Sequence, residues 1–226
     1  YEGKKEYKKM IDAMMTLFEK TDDTDYIDTD VLLKDVSYSV ALLKEKIAGE
    51  GDNALWKVVL ASVYQDSHKY SEVIPILDGL IEEYGYDEDL LEERADCYAL
   101  MGMTDLAVKD MNKAIDLCDE RNHAYYYARR GEIFRSAALY DEAIQDFSKV
   151  IDRYPTGAYG YYARGWCKEL SGDQDGAMKD YNEGISVDED YPYIYLMRGS
   201  LYLEKGEMEK GMTDFETVVA KDTTVE

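Results

Sequence analysis

The chain has 226 residues, with 49 acidic against 26 basic side chains and a formal charge of -23. A polyanion of this size is repelled by nucleic acid and by an anionic membrane surface, and no apolar run of about 18 residues is present to span a bilayer. What remains is a soluble, self-repelling surface, or one that attracts a basic partner.

In chain order, Lys4 to Lys20 reads as an amphipathic helix with Met10, Ile11, Met14, Leu17 and Phe18 on its apolar side. The loop that follows carries Asp23, Asp25, Asp28 and Asp30, but it lacks the central glycine and final glutamate of a calcium-binding EF-hand. Capping of the next helix by Asp28, Thr29 or Asp30 explains these residues better. That second helix is expected from Val31 to Ile47, closed by Gly49 and Gly51. Residues 1–53 thus form a divergent helical hairpin.

The stretch from Ala124 to Gly157 is the clearest unit. Tyr127, Gly131 and Phe134 share one face of a first helix, Ala143, Phe147 and Val150 one face of a second, and Pro155 ends the pair. Sliding it forward by 34 residues lays Gly131 on Gly165 and Gly199, Tyr127 on Tyr161 and Tyr195, and Phe147 on Tyr181 and Phe215. A shift of 36 backwards aligns Leu91, Ala95, Tyr98, Ala107, Met111 and Ala114, and a further 34 reaches Ala61, Tyr64, Val73 and Leu77. Five units follow, 54–87, 88–123, 124–157, 158–191 and 192–225.

This pattern resembles the tetratricopeptide repeat family, with departures at the terminal proline, present only as Pro155, at Val73, where Ala is usual, and at Lys168, where an aromatic residue is usual. The resemblance implies an all-α, right-handed α-solenoid of helix-turn-helix units, capped by the hairpin over 1–53. It also implies a non-catalytic scaffold or adaptor that holds a partner protein or peptide in a concave groove.

Two positions vary together. The seventh residue of the last four units is Arg94, Arg130, Arg164 and Arg198, and the twenty-third is Asp110, Asp146, Asp180 and Asp214; the first unit has Leu60 and Ile76 instead. Charge is exchanged for an apolar pair at both places at once, which predicts an Arg–Asp bridge between the two helices of each unit. The recurring Gly131, Gly165 and Gly199 predict a neighbour too close for a side chain, since a helical glycine costs about 1 kcal/mol relative to alanine.

The groove face of the resembled family carries Asp89, Glu92 and Asp96, then Tyr125, Arg129, Glu132 and Arg135, then Tyr159, Tyr162, Trp166 and Glu169, then Tyr193 and Ser200. Trp166 is expected to be the most exposed. Family members that grip a C-terminal carboxylate use Lys, Arg and Asn there; Asp, Glu and Tyr predominate in this chain, so a segment with Lys or Arg beside apolar or aromatic residues fits better.

The second helix of the last unit carries Met212, Phe215, Val218 and Val219, with Lys221 to Glu226 after it. The expectation is that the native chain continues, or that this end self-associates, and an assembly module of a longer chain is the alternative function. No catalytic set, cofactor loop or metal spacing is present: His68 and His123 stand apart from Cys97, Cys118 and Cys167, which read as buried small hydrophobes. Cysteines without a disulfide framework point to a reducing compartment such as the cytoplasm, with export after signal cleavage as the other reading.

Overall fold

The computed structural model describes residues 2–21, 28–49 and 54–222. Each helical hairpin must reverse direction within a few residues, and the same device does so five times. The middle residue of the turn is left-handed: His68 (φ 57°), Gly102 (73°), Ala138 (59°), Gly172 (93°) and Gly206 (79°). The next N–H donates back five residues, from Lys69 to Tyr64, Met103 to Tyr98, Leu139 to Phe134, Asp173 to Lys168 and Glu207 to Tyr202, each at 2.8 Å. These bonds satisfy carbonyls orphaned at the helix end, and glycine holds three of the five positions because it has no Cβ to strain there.

Contacts divide the chain into two units, 1–110 and 111–226. The first holds α1 (Glu2–Thr21), α2 (Thr29–Leu32), a 3-10 turn (Leu33–Asp35), α3 (Val36–Ile47), α4 (Ala54–Asp66), α5 (Tyr70–Tyr84), α6 (Glu88–Leu100) and the start of α7 (Thr104–Leu117). Here α3 packs on α4, α4 on α5 and α5 on α6. Ile11, Met15, Leu32, Leu43, Val59, Leu60, Val63, Val73 and Leu77 form the core.

Two expectations for this region are corrected. The helix over 31–47 is broken: Asp28 accepts from the Val31 N–H at 3.3 Å and caps α2, then Asp35 accepts from the Tyr38 N–H at 3.3 Å and caps α3. A short acidic side chain that captures a backbone donor in this way competes with helix continuation. On α1 the buried residues are Ile11 and Met15, while Met10 and Leu17 are exposed, so the buried stripe is rotated from the one expected. Asp23, Asp25 and Gly51 lie outside the described residues, as does the side chain of Phe18.

The second unit holds the rest of α7, a 3-10 turn (Glu120–Asn122), α8 (His123–Ser136), α9 (Tyr140–Arg153), α10 (Ala158–Leu170), α11 (Gln174–Val187), α12 (Pro192–Glu204) and α13 (Met208–Asp222). Each helix from α8 to α13 packs on the next. Its core joins Ala143, Phe147, Ala163 and Cys167, and then Ile151, Tyr161, Ala177, Tyr181, Ile194, Tyr195 and Leu201. Among the described residues every regular element is helical.

The glycines at the helix crossings are filled by the facing aromatic residue. A Cβ on Gly131 would stand 2.9 Å from Phe147, on Gly165 2.6 Å from Tyr181, and on Gly199 3.0 Å from Phe215. The cysteines are buried. Cys97 and Cys167 occupy the tenth position of their units, filled elsewhere by the buried Val63, Ile133 and Leu201.

Candidate functional site

The arginines and aspartates singled out in the sequence meet in pairs. Arg94 donates from Nε to Asp110 at 2.7 Å, Arg130 to Asp146 at 2.7 Å, Arg164 to Asp180 at 2.9 Å and Arg198 to Asp214 at 2.8 Å, and each adds a second bond from Nη2. All four aspartates are buried. This two-pronged geometry is the strong form of a carboxylate–guanidinium contact. Lys168, which departs from the usual aromatic, places Nζ 2.8 Å from Asp180, and Lys149 lies 3.0 Å from Asp146.

A further regularity went unread in the sequence. The remaining Nη1 of each arginine reaches the preceding helix: Arg94 to Asp78 (2.6 Å), Arg130 to Asn112, Arg164 to Ser148 (3.1 Å) and Arg198 to Asn182 (2.7 Å). All four acceptors occupy the twenty-fifth position of the repeat, two residues beyond the aspartate. Each arginine therefore ties its own hairpin together and anchors it to the helix before. A polar residue at that position in every unit was the available signal.

Groove candidates of α8, α10 and α12 fall into a connected network. Glu132 accepts from the Tyr159 hydroxyl at 3.0 Å and from Arg135 Nε at 2.8 Å. The Arg135 guanidinium lies 4.0 Å from the centre of the Trp166 ring, a cation–π contact. Tyr162 packs against Trp166 (5.8 Å), Tyr191 (5.6 Å) and Tyr193 (6.3 Å). Glu169 is engaged too, accepting from the Tyr181 hydroxyl at 2.7 Å.

Trp166 is therefore half-buried beneath Arg135, and the expectation that it is the most exposed is corrected. The exposed rings are Tyr125, at 53% of its surface, and Tyr193, at 58%. Tyr125 and Arg129 line a cavity of about 410 Å³ with Arg121, Val150, Tyr154 and Tyr159. Tyr154 and Tyr191 were missed because they lie just outside the helices, at positions that a search along helical faces does not visit.

Burial dominates the electrostatics of this cluster. It pushes the Tyr191 phenol up to about 12 and raises the Tyr159 phenol further, with the Glu132 carboxylate adding to the effect. The Glu169 carboxyl is raised by burial, against the pull of the Tyr181 hydrogen bond. Burial also holds Cys97 up to about 11 and Cys167 up to about 12, so both thiols stay protonated and unreactive at neutral pH. In the first turn of α6, Asp89 is raised by burial and then by its acidic neighbours Asp87, Glu88 and Glu92. Among the described residues no group of His, Cys, Asp or Glu has the arrangement of a metal site, and no helix is long and apolar enough to cross a membrane. The assembled features are neutral phenols, an indole and an internally matched ion pair, which suit contact with a polypeptide.

Comparisons with known proteins agree with the repeat. Residues 89–120 and 127–157 each match a tetratricopeptide repeat family model, and 170–206 match a TPR repeat model that runs from the end of α10 through α12. A TPR repeat-containing protein of Methanocaldococcus jannaschii is 27% identical over 161 residues, covering 68% of this chain and 26% of that protein. Human tetratricopeptide repeat protein 13 is 21% identical over 194 residues, covering 84% of this chain and 22% of that protein. The chain thus spans about a quarter of the length of these curated relatives. Among solved structures, a tetratricopeptide repeat protein of Parabacteroides merdae superposes with a TM-score of 0.66 at 20% identity, covering 95% of this chain and 79% of the other. MamA of Desulfovibrio magneticus superposes at 0.61 with 17% identity, covering 79% and 99%.

Proposed function

The chain is a tetratricopeptide repeat protein, and from that premise we propose that it is a non-catalytic interaction scaffold whose groove binds a partner protein or peptide. We take the array as the five units 54–87, 88–123, 124–157, 158–191 and 192–225, with 1–53 as its cap. The observation that carries the reading is the aromatic surface that ends in the exposed Tyr125 and Tyr193 and rests on Tyr159, Tyr162 and Trp166. Exposed tyrosines over a rigid base are what protein-recognition surfaces use as anchors. Glu132 and Arg135 already satisfy one another, so their part is to hold Tyr159 and Trp166 in place. Partner selection then falls to the rings and to the overall charge of -23, which favours a segment with Lys or Arg beside apolar or aromatic residues.

Selection from a random peptide library at low and moderate salt tests this. Enrichment of basic and aromatic peptides, with binding weakened by salt, supports the reading. Enrichment of acidic peptides, or of none, would overturn it.

A second reading, an assembly module, is favoured by the outer face of α13, where Met212 is 57% and Val219 64% exposed. Concentration-dependent sedimentation of the chain, abolished by Met212→Glu, is the result it requires.

A further inference from the structure

The Arg–Asp pairs form a ladder whose charges are matched inside the chain. What the groove over α8, α10 and α12 offers a partner is therefore its rings, and their tilt sets the shape they accept. Tyr159 and Tyr162 stand 6.4 Å apart at 43°, Tyr162 and Trp166 5.8 Å apart at 45°, and Tyr162 and Tyr193 6.3 Å apart at 50°. Tyr191 lies 5.6 Å from both Tyr162 and Tyr193. Neighbouring rings inclined in this way leave shallow V-shaped clefts, into which a flat-sided pyrrolidine ring packs.

The polar edges of this surface are donors. Among the described residues, the hydroxyls of Tyr162, Tyr191 and Tyr193 and the indole N–H of Trp166 bond to no other group of the chain. No unpaired polar side-chain atom is fully buried, so all four reach solvent. Burial raises the phenols of Tyr162 and Tyr191, and both keep their protons at neutral pH. Every regular element among the described residues is helical, which leaves no strand edge for an extended segment to pair with. Recognition of a partner's backbone then falls to side chains that donate.

A polyproline II segment matches both properties. Its carbonyls have no internal partner, and its prolines have no N–H to satisfy. Such segments dock on aromatic-lined grooves, with little conformational entropy to lose. The segment advances about 3.1 Å per residue, so the 6.3 and 6.4 Å between successive tyrosines correspond to about two residues. The charge of -23 adds a preference for Lys or Arg beside the prolines.

We propose that this groove binds a proline-rich segment of another protein in the polyproline II conformation. Its prolines sit between the rings of Tyr159, Tyr162, Trp166 and Tyr193, and its carbonyls accept from the Tyr162, Tyr191 and Tyr193 hydroxyls and the Trp166 indole. The proposal rests on the groove reading above and narrows it from a composition to a conformation.

The probe is a labelled oligoproline peptide with a terminal pair of lysines, titrated with the chain and read by fluorescence anisotropy. A companion peptide keeps the lysines and has serine for proline. We expect saturable binding of the oligoproline at least about tenfold tighter than that of the companion. Tyr193→Ala should weaken it by at least about tenfold. Tyr162→Phe combined with Tyr191→Phe keeps the rings and removes two hydroxyls, and should weaken it by about fivefold with the urea midpoint unchanged. Equal binding of the two peptides, or equal affinity of the parent and the double Phe variant, would overturn the proposal. Library peptides without proline that bind through Tyr193, when oligoproline does not bind, would overturn it and leave the groove reading standing. Absence of binding by either kind of peptide would remove both.

Discussion

Replacing Arg130 and Asp146 by the Leu and Ile that the first unit carries as Leu60 and Ile76 isolates the energetics of the ladder. The Asp146 side chain is 2% exposed and accepts two Arg130 bonds at 2.7 Å, while the Arg130 side chain is 14% exposed. Asp146→Ile leaves a buried guanidinium with only Asn112 among its polar acceptors here, a cost of about 3–5 kcal/mol. Arg130→Leu is milder, about 2–3 kcal/mol, because Lys149 at 3.0 Å still faces the carboxylate. The double variant restores an apolar pair of the kind that packs in the first unit, at a net cost of about 0–2 kcal/mol. The coupling energy is then about 3–8 kcal/mol, with Asp146→Ile the worse single change. Urea unfolding followed by helicity, with m-values compared to detect loss of cooperativity, measures all three. Additive costs within about 0.5 kcal/mol, or Arg130→Leu proving the more damaging, would refute the argument.

Four further outcomes follow from the local surroundings of single residues. Gly79→Ala should stabilise by about 1 kcal/mol, since a helical glycine with open space around it only adds chain entropy; Gly165→Ala should destabilise by about 1–3 kcal/mol, because its Cβ would stand 2.6 Å from Tyr181. Ala138→Gly should raise stability by about 0.5 kcal/mol in the same assay, as relief of the left-handed strain at φ 59° exceeds the entropy lost. The Glu169 carboxyl is raised above its ordinary 4.5, so the folded chain holds that proton to higher pH than the unfolded chain does. Stability therefore falls as pH rises from 4.5 through the raised value, and Glu169→Gln should remove that slope; a gap between variant and parent that widens on acidification would contradict this.

The repeat made most of the hairpins legible, because helical period and turn recur in step. The Arg–Asp partners were legible for a different reason: two positions on separate helices changed together at Leu60 and Ile76. What escaped depends on contacts between units. The cover of Arg135 over Trp166 joins side chains from different repeats, and spacing within one unit does not reveal it. The acceptors Asp78, Asn112, Ser148 and Asn182 differ in chemistry, so their shared position was easy to pass over. The break at Leu33–Asp35 came from a competing local bond, Asp35 to the Tyr38 N–H, within a stretch whose apolar spacing still read as helix.

The central claim is that a partner is held by the aromatic groove, and the most direct measurement is the affinity of a library-selected peptide for the chain and for its Tyr125→Ala, Tyr193→Ala variant. Both rings are exposed, so the variant keeps the fold while losing the two outer anchors. The account predicts at least about a tenfold loss of affinity, equivalent to about 1.4 kcal/mol, with stability unchanged. Undiminished affinity in the double variant would contradict it.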